Sequence, residues 1–240
     1  MTQPALALVL LPGMDGSGEL FAAFIAALGR AGDSVVPIVI SYPPDQALSY
    51  ESLTELVRAR LPTDGAYIVL GESFSGPIAI SLAASRPPGL VGLILCCTFA
   101  RNPTPLFAIF KRLLRVLPIF PAGSALLAPF LLGTSSPAPL RKALRAAIER
   151  VSVPVLRHRL RSVLDVDYSA QMRAVNVPIL YLQAAQDCVV LAGSARHLQT
   201  LQPSMAVIRL EGPHLLLQTA PEEAVAAVKN FAEEIQAYAN

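Results

Sequence analysis

A serine lies at the point where a short apolar run gives way to a helical pattern. Ser73 follows residues 66–70, which are typical of a buried strand, and from Phe74 onward apolar residues recur at three- and four-residue spacing. A serine at such a strand-to-helix turn is typical of a nucleophile elbow, in which a strained backbone presents the hydroxyl beyond the end of the sheet. We therefore predict that Ser73 is a nucleophile.

The neighbours of Ser73 support this interpretation unequally. The residues two before and two after the nucleophile must be small because strand and helix nearly touch there. Gly71 meets this demand fully, whereas Ser75 stands where the G-x-S-x-G pattern has glycine. Ser75 is an alternative nucleophile, but Pro77 crowds the helix entry two residues later, which favours Ser73. An ordinary strand-turn-helix without chemistry is the alternative to the elbow.

A serine hydroxyl needs a base to take its proton, and the chain has three histidines. His158 lies among arginines, which favours a surface role, and His197 lies within a predicted helix, which favours a structural one. His214 directly follows the last predicted strand. Because sites of α/β proteins form at the carboxyl ends of parallel strands, His214 is expected near Ser73 and is the predicted base.

The base in turn needs a carboxylate that fixes its tautomer and stabilises the imidazolium. Asp187 follows the strand before the one that leads to His214, so it lies at the same end of the sheet. Asp165 and Asp167 compete for this role, but they lie in a block without predicted strands. A plain loop aspartate is the alternative interpretation of Asp187.

Two backbone N–H groups are candidates for an oxyanion hole. One is that of Phe74, directly after the nucleophile and at a helix N-terminus, and the other is that of Met14, in the glycine-rich loop 12–18 after the first strand. Gly13 would allow the loop backbone to come close. The spacing of the glycines in this loop fits neither a dinucleotide-binding loop nor a P-loop. The alternative to an oxyanion hole is that the loop is a simple tight turn.

Strands and helices alternate around these residues. This rhythm predicts an α/β fold with about six mainly parallel strands and helices on both faces. From Thr98 the rhythm stops, and only helical patterns and prolines follow until it resumes near residue 178. We therefore predict a core of residues 1–98 and 174–240, with a helical cap, 99–173, inserted in it. The predicted strands are 5–11, 35–40, 66–70, 90–97, 178–183 and 206–210; the predicted cap helices are 105–117, 122–132, 139–150 and 154–164.

With these motifs in place, the chain resembles the α/β-hydrolase superfamily along almost its whole length. The resemblance rests on LGESFSG, QDCVV, GPHLLLQTAPEEAVAAVKNF and the order serine, aspartate, histidine. The loop LPGMDGSG is similar to that of plant phytyl-ester-synthase-like acyltransferases, and the helical cap resembles that of bacterial carboxylesterases. The resemblance implies an α/β-hydrolase fold, serine chemistry, and neither metal nor cofactor.

The predicted cap differs from the core in charge. Residues 99–163 contain eleven Lys or Arg and one acid, Glu149, in a chain of net charge +2. Such a surface suits an acidic carrier protein, a coenzyme A thioester or an anionic membrane. The alternative is a solvated helix face whose arginine stems cover apolar cap surface. Phe107, Phe110 and Leu114 are candidate lining residues of a substrate pocket beneath the cap, or else cap core.

The overall composition limits which classes of protein the chain can belong to. With 240 residues, 53% of them hydrophobic and 15% charged, the chain is globular, and no nucleic-acid recognition motif accompanies its basic block. Its three cysteines give neither a disulfide framework nor metal-ligand spacing, and a cytoplasmic location is the default expectation.

Taken together, the motifs predict a serine hydrolase acting on small carboxylic esters. The alternatives are an acyltransferase or thioesterase with the same triad, or a non-catalytic small-ligand receptor.

Overall fold

The protein is built around one parallel sheet. A computed structural model describes residues 6–32, 34–103 and 124–238. Six strands form the sheet in the order β2-β1-β3-β4-β5-β6, and every neighbouring pair is parallel. The prediction of about six mainly parallel strands is confirmed. The strands are β1 (Leu6–Leu11), β2 (Val35–Val39), β3 (Tyr67–Glu72), β4 (Leu90–Cys96), β5 (Ile179–Ala184) and β6 (Ala206–Leu210).

Helices cover both faces of this sheet, as the alternating pattern predicted. Ser49 caps the second helix by accepting a hydrogen bond from the Ser52 N–H at 3.2 Å, which fixes where that helix begins. The helices are α1 (Ala22–Arg30), α2 (Tyr50–Arg58), α3 (Gly76–Ala84), α4 (Ser124–Leu132), α5 (Ala138–Glu149), α6 (Val153–Asp165), α7 (Ser169–Ala174), α8 (Ala192–Leu201), α9 (Leu216–Thr219) and α10 (Pro221–Tyr238).

Strand β3 shows why both faces must be covered. All six of its residues are buried. Tyr67 and Val69 pack into the core on one face, while Ile68 and Leu70 pack into the core on the other, because successive side chains of a strand point to opposite sides. The first core includes residues from α2, α3, α7 and α8, and the second includes residues from α1, α9 and α10. The central strand therefore ends in a rigid, doubly covered position.

Among the described residues, four helices, α4 to α7, lie between β4 and β5, and the first three lie wholly in the part of the chain predicted to be a cap. Part of this block packs near the carboxyl edge of the sheet, where Leu132 and Leu144 share an apolar cluster with Leu20 and Leu215. The sequence did not predict α7, which is six residues long and buries Met172 in the main core. The limits of the cap, 99–173, stay a prediction.

Some expectations fall outside the described residues. The predicted helix 105–117 lies there, together with the pocket candidates Phe107, Phe110 and Leu114. Among the helices that the structure describes, none is both long and apolar enough to cross a membrane.

Candidate active site

Ser73 occupies a strained turn at the end of the central strand. The chain leaves β3 at Glu72, makes a single 3₁₀ turn over Ser73–Ser75 and enters α3 at Gly76. Ser73 has φ = 49°, in the left-handed backbone region that residues other than glycine rarely adopt. Such strain persists only where the surrounding structure fixes it, and it clusters at functional sites. The backbone thus has the form predicted for a nucleophile elbow.

The close approach of strand and helix explains the small neighbours. A Cβ on Gly71 would lie 2.8 Å from the carbonyl oxygen of Ser75 and 2.8 Å from the Cβ of Ala79, so glycine is required there. Ser75 is fully buried, and its hydroxyl donates to the Pro12 carbonyl while lying 2.6 Å from the Tyr42 hydroxyl. Ser75 therefore serves as a link between the elbow and the loop after β1, which its burial and bonding favour over a role as nucleophile.

The structure brings Ser73, His214 and Asp187 into one hydrogen-bonded chain. Ser73 Oγ lies 2.8 Å from His214 Nε2, and His214 Nδ1 lies 2.8 Å from Asp187 Oδ2. The histidine and aspartate side chains are only 2% and 5% exposed, whereas Ser73 is half-buried and open to a reactant. With Nδ1–H directed at the carboxylate, Nε2 is the imidazole nitrogen that can accept the serine proton.

The aspartate is held by its own loop. Asp187 Oδ1 accepts hydrogen bonds from the N–H groups of Val189 and Val190, both at 2.8 Å, which leaves Oδ2 for His214. The competing candidates take other roles. Asp165 ends the cap helix α6, and Asp167 is an exposed residue that accepts from the Ser169 N–H at 2.9 Å. The geometry thus favours Asp187 among the three carboxylates.

A tight turn presents the Met14 N–H. Gly16 N donates to the Gly13 carbonyl at 3.1 Å, which closes a turn over Gly13–Gly16 beside the elbow, where a Cβ on Gly13 would lie 3.9 Å from Ser73 Cβ. The Gly13 carbonyl and the Met14 N–H belong to one trans peptide unit and point in opposite directions. Because the carbonyl points into the turn, the N–H points out of it, and it has no acceptor among the described residues. It is available to a ligand.

The second oxyanion candidate is positioned by the elbow itself. The Phe74 N–H lies in the first turn after β3, where backbone donors have no partner within their own helix. A hydrogen bond also fixes the elbow itself, because Thr98 Oγ1 donates to the Ser73 carbonyl. Tyr181, whose hydroxyl donates to the Thr98 carbonyl at 2.9 Å, fixes that threonine in turn.

The sequence did not single out two buried charged residues beside this site. Arg159, on the cap helix α6, is 2% exposed, and Glu72, directly before Ser73, is 1% exposed. Burial raises the pKa of Glu72 to about 8, against a hydrogen bond from Gln218 Nε2 at 3.4 Å that lowers it. No sequence pattern pairs Gln218 with Glu72, 146 residues away. The only available signal was the acidic residue at the end of an otherwise apolar strand.

Among the described residues, neither of the other two histidines makes a hydrogen bond to Ser73. His197, in α8, has its Nε2 3.2 Å from Ser169 Oγ, and burial lowers its pKa. His158 lies half-buried in the cap helix α6, with a buried Nε2 that lacks a partner among the described residues. Across 6–32, 34–103 and 124–238, no group of three His, Cys, Asp or Glu side chains converges to hold a metal ion.

Comparison with known proteins agrees with the fold described above. Residues 8–228 match the model of the alpha/beta hydrolase family. Bromoperoxidase from Bacillus anthracis superposes with a TM-score of 0.81 at 16% identity, covering 95% of this chain and 92% of the other. A hydrolase from Oleispira antarctica gives 0.80 at 15% identity, with 98% and 92% covered.

The fold is thus shared with enzymes of different chemistry. The enol-lactonase from Burkholderia xenovorans superposes with a TM-score of 0.78 at 16% identity, covering 96% of this chain and 92% of that one. At these identities the superpositions establish the fold alone, and no curated protein sequence matches the chain significantly. The α/β-hydrolase fold predicted from the sequence is confirmed. By its match over residues 8–228, the chain belongs to the alpha/beta hydrolase family.

Proposed function

We propose that this protein is a serine hydrolase that cleaves carboxylic esters through an acyl-enzyme. The observation that carries the proposal is the continuous chain from Ser73 Oγ through His214 to Asp187, with both links at 2.8 Å, at an elbow with φ = 49°. A nucleophilic serine needs a base within hydrogen-bond reach and a third group that orients that base, and His214 and Asp187 supply both to Ser73.

Each group has a definite task in this proposal. Ser73 Oγ attacks the acyl carbon while His214 Nε2 takes its proton, and His214 then returns that proton to the departing alcohol. Asp187 keeps the imidazole oriented. The N–H groups of Met14 and Phe74 stabilise the negative charge on the acyl oxygen. Water, activated by the same histidine, releases the carboxylic acid and restores the serine.

The experiment compares the wild type with Ser73→Ala on p-nitrophenyl esters from acetate to palmitate. We expect the variant to lose at least about 1,000-fold in kcat/KM, because removal of a triad nucleophile leaves only residual catalysis. Ser204→Ala is the matched control: it removes the hydroxyl of an exposed serine between α8 and β6 and should keep kcat/KM within about twofold. Circular dichroism and thermal melting of all three proteins establish that they are folded.

The outcomes separate the alternatives. Equal turnover by wild type and Ser73→Ala would contradict the proposal. Turnover that shifts from acid to transesterified product when an alcohol is added would identify an acyltransferase with the same triad. No turnover of any ester, together with saturable binding of a small ligand, would identify a receptor.

The positive charge of the predicted cap affects which substrates the protein would favour. We propose that the cap's excess of Lys and Arg favours acyl groups carried on an anionic molecule, with an acidic carrier protein or an anionic membrane surface as the predicted partner. The predicted cytoplasmic location belongs with this proposal, since carrier- and coenzyme-linked acyl groups are found there.

A further inference from the structure

Arg159 is a charged side chain in an unusual place. It lies on the cap helix α6 but is 2% exposed, and its guanidinium reaches down to the loop after β1. Its carbon Cζ lies 5.8 Å from the ring centroid of Tyr42 and 5.9 Å from that of Phe74. A charged group is taken out of water only where strong interactions compensate, so the surroundings of Arg159 must supply them.

Those interactions are concentrated on the turn that presents the Met14 N–H. Arg159 Nη1 donates to the Met14 carbonyl at 2.8 Å, and Nη2 donates to the Pro43 carbonyl at 3.0 Å. A Cβ on Gly16 would lie 2.6 Å from Nη1, so the turn and the guanidinium are in close contact. One side chain thus contacts two of the four residues of the turn and ties them to a neighbouring loop.

Charge adds to this contact. Asp15, the remaining central residue of the turn, is 6% exposed and attracts the guanidinium. Burial lowers the pKa of Arg159, and the attraction of Asp15 opposes that shift. The Asp15 carboxylate also accepts from the N–H of Ser17 at 2.9 Å and from its hydroxyl at 2.5 Å, which holds it in place.

The Met14 peptide is therefore fixed from both sides. On one side, Ser75 holds the Pro12 carbonyl and Gly16 holds the Gly13 carbonyl. On the other, the Met14 carbonyl is held by Arg159 alone among the described residues. Without that bond, the plane of the Met14–Asp15 peptide is free to turn about the flanking backbone dihedral angles, and the turn can tilt. A donor displaced by a few tenths of an ångström stabilises a transition state much less.

We propose that Arg159 is a positioning residue, which holds the Met14 N–H in the oxyanion hole and so makes the oxyanion hole depend on the cap. It does not touch the reacting atoms. The inference rests on the proposed function, because it assigns Arg159 a task in that reaction. It also predicts a property of the loop that can be measured without any substrate.

The kinetic test uses Arg159→Met and Arg159→Lys with a neutral p-nitrophenyl ester. We expect Arg159→Met to lower kcat by about 10- to 100-fold with KM changed less than about threefold, because only transition-state stabilisation is lost. Lysine can restore one of the two bonds, so Arg159→Lys should recover part of kcat. Affinity for an aryl boronic acid, which forms a tetrahedral adduct with the serine, should fall in parallel with kcat/KM.

The matched control is Arg161→Met, on the same helix. Arg161 is exposed, and the change removes the same charge from α6 without touching the turn. It should keep kcat and KM within about twofold of wild type. Equal kinetics of Arg159→Met and Arg161→Met in folded protein would overturn the proposal, and so would a rise in KM with unchanged kcat, which indicates a substrate contact.

The substrate-free test is amide hydrogen exchange in residues 13–16. In Arg159→Met the Gly16 N–H, which bonds to the Gly13 carbonyl, should exchange at least about tenfold faster than in wild type and in Arg161→Met. Unchanged exchange would overturn the inference even if the enzyme is active. Faster exchange in a protein that hydrolyses no ester would instead contradict the proposed function and leave the contact between cap and loop established. If Arg159→Met fails to fold, Arg159→Lys carries both measurements.

Discussion

At the residue scale, the site contains buried polar groups that differ in how fully they are hydrogen-bonded. Ser75 shows how a departure from the glycine pattern is accommodated. Its hydroxyl occupies a fully buried position but donates to one backbone carbonyl and lies 2.6 Å from Tyr42 Oη. Burial also raises the pKa of Tyr42, so its hydroxyl stays protonated and can donate to Ser75. The serine thus adds hydrogen bonds to the elbow where glycine would add none.

Glu72 makes the stability of the protein depend on pH between about 4.5 and 8. It is completely buried, and its Oε1 has no partner among the described residues. An unfolded glutamate loses its proton near pH 4.5, whereas burial keeps the proton on folded Glu72 until about pH 8. Below pH 4.5 both states are protonated and the free energy of unfolding is unaffected. As pH rises from 4.5 to 8, only the unfolded state gains by ionising, so stability falls.

We predict that replacing Glu72 by the neutral isostere removes this loss. Across pH 4.5 to 8, the wild type should lose up to about 5 kcal/mol of unfolding free energy through this group. Glu72→Gln should show a flatter profile and should exceed the wild type in stability at pH 8. Urea unfolding of both proteins at pH 5, 6.5 and 8 measures the difference. Parallel profiles for the two proteins would mean that Glu72 titrates normally.

At the element scale, the position of the elbow depends on how tightly three backbone segments pack against one another. Strand β3, helix α3 and the segment that follows β4 meet where Gly76 faces Thr98. A Cβ on Gly76 would lie 1.9 Å from Thr98 Oγ1 and 2.7 Å from Thr98 Cγ2, closer than any real contact. The same Oγ1 holds the Ser73 carbonyl, so the contact links the packing of α3 to the position of the nucleophile.

We predict that Gly76→Ala destabilises the protein by about 1–3 kcal/mol, as expected for overpacking, and lowers kcat as Thr98 is pushed from Ser73. Thr98→Ala removes the atoms that clash most. In that background Gly76→Ala should cost less, and a double-mutant cycle measured by urea unfolding gives the coupling. Gly29→Ala is the control, since Gly29 lies in α1 with no atom within 4 Å of an added Cβ. Additive effects of Gly76 and Thr98 would show that the two do not clash.

At the scale of the whole molecule, much of the site could be predicted because the fold gathers distant residues by a simple rule. Ser73, Asp187 and His214 each come soon after a strand, and the carboxyl ends of parallel strands lie at one edge of the sheet. Their positions relative to the predicted strands were therefore enough to predict that the three side chains meet. The elements around them have strong local signals, such as the Ser49 cap of α2 and the apolar run of β3.

What could not be predicted depends on packing between elements. Arg159 is one of the eleven basic residues in 99–163, and nothing in the sequence separates it from those that the structure shows to be exposed. The approach of Gln218 to Glu72 depends on α9, a four-residue helix too short to give a periodic signal. The short helix α7 was missed for the same reason. Local patterns predict elements, whereas side chains that bridge elements need the three-dimensional arrangement.

The charge distribution gives the last prediction. Residues 99–163 carry ten net positive charges in a chain of net charge +2. Among the described cap residues, Arg145 pairs with Glu149 and Arg150 with Glu19, while Lys142 on α5 is exposed and has no ion pair with a described residue. The resulting field attracts anions over distances that salt shortens, since the Debye length is about 10 Å at 0.1 M.

We therefore predict that an ester with a carboxylate on its acyl chain, such as a p-nitrophenyl hemisuccinate, is hydrolysed with a salt-dependent efficiency. Its kcat/KM should fall by about 5- to 10-fold between 20 and 500 mM NaCl, while that of the neutral butyrate changes less than twofold, because only the charged ester is steered by the cap. Lys142→Glu should lower the low-salt value for the charged ester. Lys229→Glu, on the core helix α10, makes the same change in charge away from the cap and should lower it less. If the two esters respond alike to salt, or the two variants respond alike to the charged ester, the basic cap is a solvated surface whose arginine stems serve packing alone.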